Sequence, residues 1–177
     1  GVISIMSELR TNRIVPRDGL PAGSSGGIIQ IKQVIHSNSL QFTAGSTFTA
    51  GTSSGGNFEI TITPTRSDSK ILVSFNSFYD NNQAGQRAWA TLYRSIGGGT
   101  ASHVLTGSGA RGLFEVWNPD QRIQSTCMVQ YLDSPNTTQA VTYTVYGYVH
   151  SGGGSGGSFY LGLYDNQKFM HAMEVSG

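Results

Sequence analysis

The sequence predicts an all-β protein, and two observations carry that prediction. Charged residues make up only 12% of the chain, about half the share found in ordinary domains, so the charged pairs that support exposed helices are scarce. Short segments rich in β-branched and aromatic residues alternate apolar with polar side chains, which is the period of half-buried strands. About eight to ten such segments, separated by turn-forming residues, indicate a β-sandwich or a barrel.

The predicted strands follow one another from residue 28 to the end of the chain. The clearest alternation begins at Phe58 and stops at Pro64, because proline cannot donate to a strand ladder. Loops are expected at residues 41–56, 80–85, 133–137 and 152–157, where Gly, Asn, Asp, Ser and Pro collect. The predicted strands are residues 28–35, 58–63, 71–76, 88–93, 102–106, 112–117, 123–132, 140–149, 159–163 and 168–175.

A jelly-roll sandwich fits this number of strands and this chain length best. An immunoglobulin-type sandwich is the alternative, which the missing Cys…Trp…Cys spacing disfavours. Cys127, the single cysteine, lies in an apolar stretch and is expected to be a buried hydrophobic residue. The strand at 88–93 has apolar residues on both faces, so it is either central or part of a subunit interface.

Residues 1–27 differ in composition from the rest of the chain. Arg10, Arg13 and Arg17 occur among prolines, and a Gly/Ser run follows at 23–27. This pattern predicts an extended N-terminal arm with a flexible hinge, which lacks the apolar surface to fold alone. Residues 28–177 would form the head domain. The residues expected to anchor the arm to a partner are Leu9, Arg10, Arg13, Ile14 and Val15.

Several function classes lack support in the sequence. No basic cluster suggests nucleic acid as a partner, and no apolar run is long enough to insert into a membrane. The four histidines show no metal-ligand spacing, and no nucleophile or phosphate-loop motif is present. We therefore expect no enzyme activity, cofactor or metal. The acidic residues at predicted turns, which turn capping explains, are Asp80, Asp120, Asp133 and Asp165.

Aromatic and amide side chains beside the predicted loops suggest contacts with another surface. Such side chains combine an apolar body with a polar end, which suits glycan or protein surfaces. The candidate contacts are Tyr79, Asn81, Asn82, Trp117, Asn118 and Tyr164.

A set of short motifs gives the sequence a resemblance to a known family. The motifs are Met6-Ser7-Glu8-Leu9-Arg10, Ile60-Thr61-Ile62-Thr63-Pro64, Ser69-Lys70-Ile71-Leu72-Val73, Leu92-Tyr93-Arg94-Ser95-Ile96-Gly97, Leu132-Asp133-Ser134-Pro135 and Ala172-Met173-Glu174-Val175. In their order and spacing they resemble marine and cyanobacterial bacteriophage structural proteins described as tail-fibre or virion proteins. The resemblance implies a virion component with a homotrimeric jelly-roll head of the tumour-necrosis-factor type, and it implies no catalytic residues.

The sequence and the resemblance together lead to one expected function and one alternative. We expect a fibre or adhesin head that residues 6–27 join to other virion proteins and that contacts a host-surface glycan or protein. The alternative is a capsid decoration or head-fibre protein with a purely structural role.

Overall fold

A computed structural model describes residues 27–105, 112–120, 122–151 and 157–176. The expected anchor residues Leu9, Arg10, Arg13, Ile14 and Val15 lie outside this part of the chain. Within it, strands dominate, and the helical structure is one 3-10 turn, Leu163–Asp165. The strands are β1 (Ile28–His36), β2 (Leu40–Thr43), β3 (Glu59–Ile62), β4 (Lys70–Asn81), β5 (Gln86–Ile96), β6 (Ser102–His103), β7 (Phe114–Asn118), β8 (Ile123–Asp133), β9 (Val141–Ser151), β10 (Ser158–Leu161) and β11 (Lys168–Val175).

Two antiparallel sheets enclose one hydrophobic core, which confirms the predicted all-β sandwich. The first sheet has the order β1–β11–β4–β10–β2, and β8 pairs with the other edge of β4. The second sheet has the order β3–β9–β5–β6, and β7 also pairs with β5. Each sheet is therefore built on one long strand, β4 or β5, with a long partner on one edge and two shorter partners on the other.

The core forms from alternate residues of the facing strands, as the period of two predicts. Ile71, Val73 and Phe75 of β4 are buried, and so are Ile60 and Ile62 of β3. The ring of Phe75 lies edge-on to Phe58, and that of Phe42 stacks on Phe159. Cys127 is buried in the same core, as expected.

The first residues of two predicted loops belong to strands instead. β4 continues to Asn81 rather than ending near residue 76, and β8 ends on Asp133. Asp80, Asn81 and Asp133 are consequently buried and do not cap turns. Sequence patterning placed them in turns because their polarity is usual there, whereas partners from distant strands compensate their burial.

The segment 41–56, predicted as a loop, pairs in part with strands of the two sheets. It begins inside β2, and Gln41 and Thr52 exchange backbone hydrogen bonds. Thr49 forms a bridge to Gly147 and so extends the free edge of β9 beyond β3. This segment therefore closes one side of the sandwich.

Polar groups join the two sheets at one end of the core. Asp133 of the first sheet accepts hydrogen bonds from Arg94 at 2.8 Å and from the Tyr143 hydroxyl at 2.7 Å, both in the second sheet. Burial and this carboxylate together raise the pKa of Tyr143 well above its ordinary value. The hydroxyl therefore stays protonated and continues to donate to Asp133.

The opposite end of β4 carries a second buried polar group. The Asn81 side chain donates to the carbonyl oxygen of Gln86 at 3.3 Å, and Asn118 donates to the carbonyl oxygen of Asn81 at 3.1 Å. Asn81 belongs to the first sheet, and Gln86 and Asn118 belong to the second. Both ends of the core are thus closed by polar contacts between the sheets.

Glu174 of β11 is fully buried and joins β1 to the turn after β3. Its carboxylate accepts hydrogen bonds from the Thr65 amide at 2.7 Å and from Gln30 Nε2 at 2.6 Å. Burial alone would raise its pKa, but the hydrogen bonds from Gln30 and Thr65 contribute to holding that pKa below its ordinary value of 4.5. The ionised carboxylate therefore stabilises the fold.

The close contact between Gly147 and Phe42 gives a test of core packing. A Cβ on Gly147 would lie 2.4 Å from Phe42 Cδ1, so we expect Gly147→Ala to destabilise the protein by about 1–3 kcal/mol through overpacking. Gly45→Ala is the control, because the nearest atom to its Cβ is 4.0 Å away, and it should change stability by less than about 0.5 kcal/mol. Urea unfolding measures both, and equal losses would contradict the packing argument.

The lowered pKa of Glu174 predicts a stability loss in acid. Its contribution is complete above the unfolded-state value of 4.5 and disappears as the pH falls through the lower folded-state value. We expect Glu174→Gln to be less stable than wild type at neutral pH and to depend less on pH below 4.5. Glu115→Gln, whose carboxylate is partly exposed, should retain the wild-type pH dependence. Urea unfolding across this range measures it, and unchanged acid sensitivity in Glu174→Gln would contradict the assignment.

Candidate functional site

The residues predicted to contact another surface fall into two groups. Tyr79, Asn81 and Asn118 are buried, with exposures of 9%, 0% and 0%. Tyr79 packs against Phe114 and Phe159 in the core. Their burial removes these three from the surface of the described structure, because β4 and β7 continue into the first residues of the predicted turns.

Asn82, Trp117 and Tyr164 are exposed, but they do not form one surface. Trp117 lies on β7 in the second sheet, where the Arg87 guanidinium sits 5.6 Å from its ring centre. Tyr164 lies in the 3-10 turn after β10, which belongs to the first sheet. Asn82 follows β4 and accepts a hydrogen bond from the Ser158 amide at 3.2 Å. Of the six predicted contacts, three are therefore exposed, and Trp117 lies on the other sheet from Tyr164.

Tyr164 is held in place by a buried carboxylate. Asp80 is fully buried and accepts hydrogen bonds from Arg122 Nε at 2.8 Å, from Arg122 Nη2 and from Gln124. Arg122 also lies 3.3 Å from the Tyr164 hydroxyl, and its bonds to Asp80 and Tyr164 raise its pKa further above the ordinary value. The guanidinium is thus a permanent positive charge that fixes the tyrosine hydroxyl.

Tyr164 also has an unusual backbone. Its φ is 58° and its ψ is 39°, which is the left-handed region that non-glycine residues rarely adopt. Its side chain is nonetheless 72% exposed. Such conformations cost about 1–3 kcal/mol and occur most often at functional sites. The turn therefore presents an aromatic ring to solvent in a fixed position.

Sequence patterning missed a second feature, the outer face of the first sheet. Register places Ile31, Met173, Leu72 and Leu132 side by side across β1, β11, β4 and β8. We call these four residues the apolar patch. Ile31 and Leu132 are 55% and 51% exposed, although both are large aliphatic side chains. The sequence carried a signal for this patch, since residues 168–175 have apolar side chains on both faces.

The two rows between the apolar patch and Met128 are free of permanent charge, whereas Lys70 lies in the row on the other side of the patch. The next row is polar and contains His171, whose ring nitrogen lies 2.9 Å from Gln33 Nε2. The row after that contains Ile35 and Met128, which are 52% and 69% exposed. Among the described residues of these three rows, none is Asp, Glu, Lys or Arg. These three rows therefore offer apolar surface without an electrostatic preference for a charged partner.

The outer face of the second sheet, in contrast, is largely covered by its own side chains. Tyr93 stacks on Tyr146 with a centroid distance of 4.0 Å, and Trp89 stacks on Tyr148 at 5.1 Å. Phe48, from the 41–56 segment, packs against this cluster. The two-faced strand at 88–93 is thus central within the subunit, and it does not supply the exposed interface that it suggested.

The described residues give limited scope for other chemistry. Burial raises the pKa of Cys127 to about 12, so its thiol stays protonated at neutral pH. In residues 27–105, 112–120, 122–151 and 157–176, no three His, Cys, Asp or Glu side chains converge to hold a metal ion. The same residues include no helix with the length and apolar character that crossing a bilayer requires.

No protein-family model matches the chain, and no curated protein matches it at a significant level. The functional surfaces are therefore assigned from the physical properties of the two sheets. These are the apolar patch on the first sheet, a largely covered aromatic face on the second, and the exposed Tyr164 ring.

Proposed function

We propose that this chain is a bacteriophage virion protein whose residues 28–177 form a homotrimeric, non-catalytic jelly-roll head. The apolar patch is the observation that carries this proposal. Soluble monomers rarely expose large contiguous apolar surfaces, and an apolar patch with two uncharged rows beside it suits packing against identical subunits. The phage assignment itself is supported by the motifs that resemble virion proteins.

The strand order supports a jelly roll over an immunoglobulin-type sandwich. The first sheet contains β1–β11–β4–β8 and the second contains β3–β9–β5–β7. The chain changes sheet at most connections, as expected when Greek keys wrap into a jelly roll. In an immunoglobulin-type sandwich the first strand neighbours the second, whereas β1 pairs with the last strand, β11.

Within this proposal, the N-terminal arm anchors the head to the particle. The arm leads into β1, which pairs only with β11 among the described strands and so lies at an edge of the first sheet. Leu9, Arg10, Arg13, Ile14 and Val15 supply both apolar and bidentate cationic contacts for another virion protein. The head then projects outward and contacts the host surface.

A capsid decoration with a purely structural role is the second candidate. The observation that favours it is the burial of Tyr79, Asn81 and Asn118, which reduces the set of residues expected to contact a host. Both candidates share the trimeric head and the anchoring arm. They differ in whether the exposed Tyr164 region binds a host component.

Substituting one charged residue into the apolar patch tests whether the trimer forms through it. Leu132→Glu places a carboxylate in the proposed contact, where burial without a partner is unfavourable. We expect multi-angle light scattering at micromolar concentration to report a trimer for the full wild-type chain and a monomer for the variant. Trp117→Glu is the matched control, because Trp117 is 55% exposed on the other sheet, and it should remain a trimer. A wild-type monomer would refute the proposed assembly.

If the arm anchors the head, then removing the arm should prevent the head from joining particles without preventing it from folding. Deleting residues 1–27 should leave a folded trimeric head, because the apolar patch and the core lie in the remaining residues. The truncated head should be absent from purified particles that contain the full chain. Immunogold labelling of particles, with circular dichroism of the free head as the folding control, measures this. Incorporation of the truncated head at the full-chain level would contradict the role of the arm.

A further inference from the structure

A groove lies on the outer face of the first sheet, at the end away from Leu132. The register pairs Asn76 with Met128 and Phe78 with Thr126, and these residues of β4 and β8 line it. Asn166 and Gln167, which follow the Tyr164 turn, and Phe169 of β11 complete the lining. The groove encloses about 470 Å³, which is a usual size for a small-molecule site.

The lining selects the chemistry of a ligand. Side-chain amides come from Asn76, Asn166 and Gln167, a hydroxyl comes from Thr126, and aromatic surface comes from Phe78 and Phe169. Among the described residues that line the groove, none is charged, so an ionic ligand would lose hydration without gaining a counter-charge. A purely apolar ligand would leave the amides without partners. A neutral ligand with both hydroxyl groups and apolar C–H surface satisfies both requirements.

The fixed Tyr164 ring stands next to this groove. Asp80 and Gln124 form the next register pair on the same face beyond Phe78 and Thr126, and Arg122 connects Asp80 to the Tyr164 hydroxyl. Packing does not require this exposed ring, and a left-handed backbone disfavours it. The hydrogen bond from Arg122 orients the ring before binding, which lowers the conformational freedom that the ring loses when a ligand stacks on it.

We propose that the groove binds a neutral saccharide, with one sugar ring against Phe78 and a neighbouring unit against Tyr164. The amides of Asn76 and Gln167 and the Thr126 hydroxyl bond the sugar hydroxyl groups. This inference rests on the proposed host contact. It names the chemical class of the host ligand and the place where that ligand binds. The apolar patch lies toward the Leu132 end of the face, so subunit packing and saccharide binding use different parts of it.

The test uses the full chain and four neutral trisaccharides: maltotriose, cellotriose, mannotriose and chitotriose. The acidic trisaccharide trigalacturonate is the charged comparison. Saturation-transfer NMR and titration should detect at least one neutral trisaccharide with a millimolar or tighter Kd, and weaker or no binding of trigalacturonate. Tyr164→Gly and Gln167→Ala should each weaken the neutral trisaccharide about tenfold or more.

The variants keep folding separate from binding. Glycine adopts φ 58° without strain, so Tyr164→Gly removes the ring while the turn keeps its backbone. Trp117→Ala removes an exposed aromatic ring from the opposite sheet and should leave the Kd unchanged. Circular dichroism of each variant confirms that the fold is retained.

Three outcomes would overturn the inference. They are no binding of any of the four neutral trisaccharides at about 10 mM, equal or tighter binding of trigalacturonate, and an unchanged Kd in both Tyr164→Gly and Gln167→Ala. Light scattering on the same samples measures the oligomeric state, so saccharide binding and the proposed assembly are tested separately. A trimer without saccharide binding overturns this inference alone, and a monomer that binds through these residues overturns the assembly alone.

Discussion

Burial of alternate side chains between the two sheets is the constraint on which the rest of the structure depends. Each long strand must place one of its two faces in the core, because successive side chains point in opposite directions. β4 and β5 carry this requirement, since each pairs with strands along both edges. Once the inner faces are fixed, register alone determines which residues meet on the outer faces.

The few charges of the head include several with specific structural tasks. Asp133 joins the sheets through Arg94 and Tyr143, and Glu174 joins β11 to β1 and to the turn after β3. Asp80 fixes the turn that carries Tyr164 by way of Arg122. These carboxylates find their partners within the subunit. On the outer face of the first sheet, the three rows from Ile31 to Met128 contain no permanent charge.

The outer faces of the two sheets differ in how much apolar surface they expose. The second sheet buries its aromatic side chains under Phe48 and their own stacking, so the subunit itself satisfies that face. The first sheet leaves Ile31, Leu132 and Met128 half-exposed or more. The first sheet therefore exposes aliphatic side chains and the second exposes Trp117. The Tyr164 region adds polar and aromatic groups at one end of the first sheet's outer face.

The sequence by itself determined the all-β class, most strand positions and the inward alternation of β3 and β4, because a period of two is a local property of the chain. It could not determine that Asp80 and Asn81 are buried, since their partners Arg122 and Asn118 are brought near only by folding. The apolar patch likewise depends on register between β1, β11, β4 and β8, which are distant in sequence. Tertiary structure alone decided these surfaces, because strand pairing and not local pattern sets which side chains become neighbours.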